Sequence, residues 1–326
     1  MIKIKLENIL RRSLRNLPAY FRLVRWKNLL LLAFSLAVVR YGIILRFVDE
    51  SPNMQNISHG VFLLMALATL FIAAAGYIIN DFYDLKIDLL NKPSRMILGR
   101  MMSTTRGIIL YILLNGAGLA AGLGAALKAG QPSLFLLFLF TASLLWYYSV
   151  FLKRNLLWGN LTVAFLAALA VIMPLAFEFY LLLENPDEWA RLFRSFRLAI
   201  RFTLALAVFA FLLTLIREIL KDVEDMKGDA AENCRTLPLV LGWPRTRDIL
   251  SALILLTIIL LGIAQYYLSQ SAFRWAFFWY FVPQFLLIHL FSRLPEQPVA
   301  ERIATATRIA KAIMLVGVAG IIFLFP

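Results

Sequence analysis

Two short stretches hold most of the residues whose types and spacing could do chemistry. The first is Asn80-Asp81-Phe82-Tyr83-Asp84-Leu85-Lys86-Ile87-Asp88, where a long apolar run ends in three carboxylates and one carboxamide. At about 100° per residue, a helix continued through it gathers Asn80, Asp81, Asp84 and Asp88 within an arc of roughly 100°. The second is Arg217-Glu218-Ile219-Leu220-Lys221-Asp222-Val223-Glu224-Asp225-Met226-Lys227-Gly228-Asp229, again at the end of an apolar run. There Glu218, Asp222, Asp225 and Asp229 share one helical face, and Glu224 points away. Carboxylates within or at the edge of a bilayer are costly unless paired or bound to a cation, so two oxygen-rich faces predict one site in two halves. Oxygen-only donors select a hard cation such as Mg2+, which is commonly shared between a few carboxylates and substrate phosphates. The basic residues nearby, Lys92, Arg95, Lys153, Lys221 and Arg235, suit a diphosphate.

The elements that must position these residues are membrane helices. The chain has 326 residues, of which 61% are hydrophobic and 16% charged. Its mean hydropathy of +0.78 excludes a soluble domain of this length. About 20 apolar residues cross a bilayer core. Nine runs qualify: residues 28 to 47, 60 to 80, 106 to 127, 133 to 150, 157 to 180, 200 to 220, 248 to 268, 274 to 292 and 304 to 325. Backbone polar groups must be satisfied internally in lipid, so the expected fold is an all-α membrane bundle. A single domain over 1 to 326 is expected, with residues 1 to 25 as a basic cytoplasmic or interfacial segment.

The net charge of +14 follows topology rather than a nucleic-acid partner. With the N-terminus inside and the C-terminus outside, most of the 33 basic residues fall on the cytoplasmic side, as the positive-inside rule prefers. Both acidic stretches then face the cytoplasm, as expected in a prokaryotic plasma membrane. The single cysteine, Cys234, excludes an internal disulfide. The N-terminus lacks the apolar core of a cleavable signal. Instead Leu6, Ile9, Leu10, Leu14 and Leu17 recur opposite Arg11, Arg12 and Arg15, as in an interfacial amphipathic helix.

Further along, Pro93 stops the first acidic helix, and Gly116, Gly118, Gly122 and Gly124 permit close packing of the third run. Pro174 is expected to kink the fifth, and residues 184 to 201 read as a helical interfacial stretch. Four crossings separate the two acidic ends, a layout that suggests tandem four-helix units. Gln284 and His289 read as packing or interhelical hydrogen-bonding residues.

The two stretches resemble the paired signatures of the UbiA superfamily of intramembrane prenyltransferases. The likeness lies in Asn80-Asp81-x-x-Asp84-x-x-x-Asp88 with Asn91-Lys92-Pro93-Ser94-Arg95, and in Lys221-Asp222-x-x-Asp225-x-x-x-Asp229 with Arg235-Thr236-Leu237-Pro238. Arg25-Trp26-Lys27, Tyr148-Ser149-x-x-Leu152-Lys153-Arg154 and Gly159-Asn160-Leu161 extend it. Met96 departs from it, standing where many members carry Pro. The resemblance implies nine helices around a central cavity, Mg2+, an isoprenyl diphosphate and a lipophilic acceptor. It implies Asn80, Asp84 and Asp88 as one metal set and Asp225 with Asp229 as the other, supported by Asp81 and Asp222. Arg25, Lys92, Arg95, Tyr148, Lys153, Lys221 and Arg235 would serve the diphosphate, with Asp84, Asp225 and Lys153 closest to the chemistry. The expected reaction ionises the donor to an allylic cation, which the acceptor attacks. The second stretch looks closer to digeranylgeranylglyceryl phosphate synthases than to enzymes with aromatic acceptors. A quinone-ring acceptor stays open, and from another class so does an ion-coupled transporter.

Overall fold

A computed structural model describes residues 18–48, 57–91, 93–183, 186–270 and 273–324. The expected N-terminal amphipathic helix and Lys92 lie outside them. Among the described residues every regular element is a helix, apart from one isolated bridge between Leu98 and Met102. Ten helices organise it: α1 Trp26–Phe47, α2 His59–Tyr83, α3 Leu85–Asn91, α4 Thr104–Lys128, α5 Pro132–Val150, α6 Trp158–Leu183, α7 Pro186–Ala231, α8 Leu237–Ser269, α9 Trp275–Ser292 and α10 Ala300–Leu324. All but the short α3 are long and apolar enough to cross a membrane, so each of the nine expected runs has its span.

Local sequence fixes several helix ends. Ser58 and Ser103 cap α2 and α4, their hydroxyls accepting from the Val61 and Arg106 amides. In the spans only 17% to 50% of the most apolar window is buried, so large side chains such as Leu113, Tyr267 and Phe285 point outward. That outward apolar belt is what a lipid-facing surface requires. Close packing of α4 on α2 runs through Gly118, whose α-carbon faces Ile72.

Four features depart from the apolar pattern. The first acidic helix is not continuous: α2 ends at Tyr83, and Asp84 (φ −91°, ψ 1°) sits at the joint with α3. The ladder survives the bend, with Asp84 N to Asn80 O at 3.0 Å and Asp88 N to Asp84 O at 2.8 Å. The interfacial stretch before the sixth span is fused to it, and α7 runs for 46 residues. At 1.5 Å per residue it is about 69 Å long, which carries its acidic end well beyond a core of about 30 Å. In α8, Gly242 (φ 73°, ψ 168°) interrupts the helix. Only glycine adopts that backbone without strain, and Pro244 restarts the helix just beyond it.

The fourth departure is inside α1, where Val38–Ile44 forms a π-helical turn around Arg40. Arg40 is 2% exposed and pairs with Glu178 of α6, itself fully buried. Both side chains also hold Ile57: Arg40 donates to its carbonyl at 2.5 Å, and its amide donates to Glu178 Oε2 at 3.2 Å. The widened turn supplies room for a guanidinium that an apolar run would not accept. Elsewhere Gln284 donates to the Ile258 carbonyl of α8 at 3.4 Å, the interhelical bond expected of it.

Candidate active site

Two acidic stretches more than 130 residues apart meet because α3 packs along the end of α7. Asn91 joins them. Its Nδ2 donates to the Asp225 carbonyl at 2.9 Å, and its Oδ1 accepts from the Gly228 amide at 2.8 Å. Gly228 is needed for this approach: a β-carbon there would meet Asn91 Nδ2 at 2.5 Å and the Ile87 carbonyl at 2.8 Å. One side-chain amide thus satisfies two backbone groups of the opposite helix, an arrangement that fixes register as well as distance.

Between the stretches lies a tight cleft bounded by Asp84 on one side and Asp222 and Asp229 on the other, with Lys153, Arg154, Cys234 and Thr236 closing it. At its centre Lys153 pairs with Asp84, and Asn80 Nδ2 donates to the same carboxylate oxygen, Oδ2, at 2.8 Å. Burial opposes charge on Lys153, but the adjoining Asp84 and Tyr148 outweigh it and hold the ammonium above its ordinary range. Among the described residues no cation pairs with Asp88. Burial, with Asp84 and Asp81 beside it, pushes its carboxyl up to about 6. Burial, then Asp229, raises the Cys234 thiol as well. Asp222 is held by Asn160 of α6, whose Nδ2 donates to it at 2.8 Å. Asp225 and Asp229 lie one turn apart on α7, and Asp229 senses the charges of Asp225, Lys153 and Asp84 across the cleft.

The remaining sequence-predicted residues spread around this centre. Asp81 turns from it to Arg25, 2.6 Å away, where the Arg25 guanidinium lies 4.8 Å from the Tyr77 ring centroid. Burial works against that charge, but Asp81 and Tyr77 hold Arg25 above its usual range. Lys221 reaches Glu218 at 3.8 Å, so Arg25 and Lys221 stand beside the cleft rather than in it. Arg235 is exposed at the rim, its amide bonded to the Arg154 carbonyl at 2.9 Å. Tyr148 is buried next to Gly159. Arg95 ends the single turn Pro93–Arg95 that follows α3.

Three contributors carry no mark of their role in the sequence: Asn91, Asn160 and Arg154. Each lies in a segment matched to the family, yet a carboxamide gives no signal until its partner is known.

The donors fit a magnesium ion. Buried Asn80 Oδ1 and Thr236 Oγ1 have no hydrogen-bond partner, and with the carboxylates they form an oxygen-only set. No three of His, Cys, Asp and Glu converge tightly enough among the described residues to chelate a metal unaided. Mg2+ commonly takes one or two carboxylates and completes its octahedron with water and phosphate. A wider groove between α4 and α5, lined by Tyr111, Asn115, Phe140 and Trp146, holds none of these acids.

Comparison with known proteins agrees with this arrangement. The UbiA prenyltransferase family model matches residues 50–318. A digeranylgeranylglyceryl phosphate synthase from Saccharolobus solfataricus is 35% identical over 246 residues, covering 75% of this chain and 76% of the relative. Among solved structures, one concerned with digeranylgeranylglyceryl phosphate synthase in membranes superposes with a TM-score of 0.60 at 23% identity, over 94% of this chain and 98% of the other. A UbiA homolog from Archaeoglobus fulgidus, bound to DMAPP and Mg2+, gives a TM-score of 0.57 at 18% identity, over 93% and 98%. A family match over most of the chain, on a nine-span helical fold, sets the transporter reading aside: this multi-pass membrane protein belongs to the UbiA prenyltransferase family.

Proposed function

We propose that the protein transfers an isoprenyl group from an isoprenyl diphosphate to the free hydroxyl of a glyceryl phosphate lipid that already carries one isoprenyl chain. The single observation that carries the reading is the convergence of Asp84, Asp222 and Asp229 on Lys153 in one cleft at the helix ends. The digeranylgeranylglyceryl phosphate synthases at about a third identity support this acceptor over an aromatic one. The homolog holding DMAPP and Mg2+ supports the donor and the metal.

In this reading Asn80, Asp84 and Asp88 hold one Mg2+ and Asp225 with Asp229 another, while Asp81 and Asp222 support them through Arg25 and Asn160. Bound Mg2+ neutralises charge building on the departing diphosphate. Lys153 donates to the leaving oxygens, and the buried pairing that keeps it charged also fixes its direction before substrate arrives. Arg154 and Arg235 hold the outer phosphate at the rim. The bond from C1 to the diphosphate oxygen breaks with its electron pair on oxygen. The acceptor oxygen bonds to C1, and its proton leaves with diphosphate. The tightness of the cleft keeps water from C1, which would otherwise divert the cation to an alcohol. Basic connecting segments support a cytoplasmic site, with the N-terminus inside.

The test is diphosphate release by purified protein in lipid with Mg2+ and geranylgeranyl diphosphate. Geranylgeranylglyceryl phosphate, 4-hydroxybenzoate and dihydroxynaphthoate are offered separately. Release that requires the first acceptor, and that disappears in a folded Asp84→Asn variant, is the expected result. No release with any acceptor, or full activity in Asp84→Asn, sinks the reading.

A further inference from the structure

Beside the Lys153 cleft, one helical turn toward the membrane interior, stands a second group of cations. Arg25 enters it from the start of α1, in left-handed backbone (φ 52°) and bonded to Asp81. Arg217 and Lys221 of α7 both reach Glu218. The fourth member comes from α10, which packs against α7 and α1. Thr307 of α10 donates to Glu224 of α7 at 2.6 Å, and as the sixth and ninth alternating spans the two helices run antiparallel. One turn on from Thr307 therefore brings Lys311 level with Lys221, and Arg217 follows one turn above. Electrostatics agree, since Lys311 senses Arg217, Arg25, Glu218 and Lys221.

Arg25, Arg217 and Lys221 have carboxylate partners in Asp81 and Glu218, whereas Lys311 is exposed and, among the described residues, has no carboxylate within ion-pair distance. Arg217 Nε is buried without a hydrogen-bond partner. An unpaired lysine at the edge of a span and a buried guanidinium N–H without an acceptor mark a place where an anion completes the set.

We propose that Arg25, Arg217, Lys221 and Lys311 bind the phosphate of the lipid acceptor. The inference rests on the acceptor class proposed above and names the residues that recognise it. Glu218 and Asp222 are one turn apart on α7, so the two anion sites are separated by about 6 Å. A glyceryl phosphate hydroxyl lies within a few bonds of its phosphate. Held in the inner site, it faces the first carbon of a donor whose diphosphate fills the outer one. Arg25 and Lys221, expected from sequence at the donor, thereby serve the acceptor. The four residues come from three helices, and only Arg217 and Lys221 fall in the contiguous stretch that leans toward this acceptor class.

The test compares geranylgeranylglyceryl phosphate with its dephosphorylated alcohol in neutral phosphatidylcholine vesicles, for wild type, Lys311→Gln and Lys311→Arg. Wild type should favour the phosphorylated acceptor strongly in kcat/KM. Lys311→Gln should lower that preference about tenfold, the loss of one charge-assisted contact. The donor KM should stay unchanged, and Lys311→Arg should restore the preference. Equal use of both glycerol acceptors by wild type overturns the anion site while leaving prenyl transfer to a glycerol lipid standing. A raised donor KM in Lys311→Gln also overturns it, by returning the cluster to the donor. A wild-type preference abolished by phosphatidylglycerol vesicles assigns the cluster to bulk headgroups and overturns it too. If only 4-hydroxybenzoate yields product, the acceptor reading itself falls, and this inference falls with it.

Discussion

Gly228→Ala tests whether the seam between the acidic stretches controls catalysis. The added β-carbon would sit 2.5 Å from Asn91 Nδ2 and 2.8 Å from the Ile87 carbonyl, where ordinary contact begins near 3.4 Å. The Asn91 side chain can swing aside, but the Ile87 carbonyl belongs to the α3 backbone. The stretches must therefore separate by about 0.6 Å, and Asn91 loses the geometry of both its bonds. Two hydrogen bonds at about 1 kcal/mol each put local weakening at roughly 2 kcal/mol. The catalytic effect should be larger, because misplacing reacting groups by about 1 Å costs on the order of a hundredfold. We expect kcat to fall between about tenfold and a hundredfold, with a higher Mg2+ concentration needed for half-maximal rate. Diphosphate release under Mg2+ titration reads both quantities, and the melting temperature in detergent reports whether the bundle survives. Asn91→Ala should act in the same direction. The double variant should cost less than the two single effects combined, since alanine at 91 removes part of what the new methyl strikes. Wild-type kcat and Mg2+ dependence in Gly228→Ala would refute the reasoning, and strictly additive effects would refute the shared seam.

Asn160→Ala removes the donor to Asp222, and an orienting contact of this kind is worth about tenfold to a hundredfold in metal affinity or activity; the shift should appear in the Mg2+ titration. Treatment with EDTA should abolish diphosphate release, and added Mg2+ should restore it more fully than added Ca2+, whose larger shell suits a narrow cleft poorly. Arg40→Ala should lower stability by about 3 to 5 kcal/mol because it strands buried Glu178, whereas Arg40→Met with Glu178→Leu should recover most of the loss. Thermal unfolding in a single detergent compares the three proteins.

The site was legible in the sequence where chemistry repeats along a helix. Asn80, Asp84 and Asp88, or Asp222, Asp225 and Asp229, stand out because carboxylates at turn spacing are expensive at the end of an apolar run. Nine spans followed from hydropathy because lipid enforces helices. Contacts between distant segments left no such trace. Asn91 meets α7 across 134 residues, Asn160 meets Asp222 across 62, and nothing in either local sequence names the partner. Asp81 shares the expected arc with Asp84, yet the bend at Asp84 and the approach of Arg25 draw it elsewhere. Gly242 lies between a short helix and a long span, and a conformational break at one glycine does not alter hydropathy enough to be seen. Arg40 finds its partner, Glu178, on α6, and nothing in the first apolar run names it.

The clasp of Arg40, Glu178 and Ile57 has an electrical consequence. Carboxylates and cations gathered at the end of a membrane bundle offer protons and ions the start of a path across it. The acids and Lys153 cluster at one end of the bundle, while at the other a buried ion pair grips both the amide and the carbonyl of Ile57 and ties α1 to α6. The two ends of the bundle thus differ in charge: toward the cleft the charges gather, whereas the Arg40–Glu178 pair cancels its own charge and draws no counter-ion to the far end.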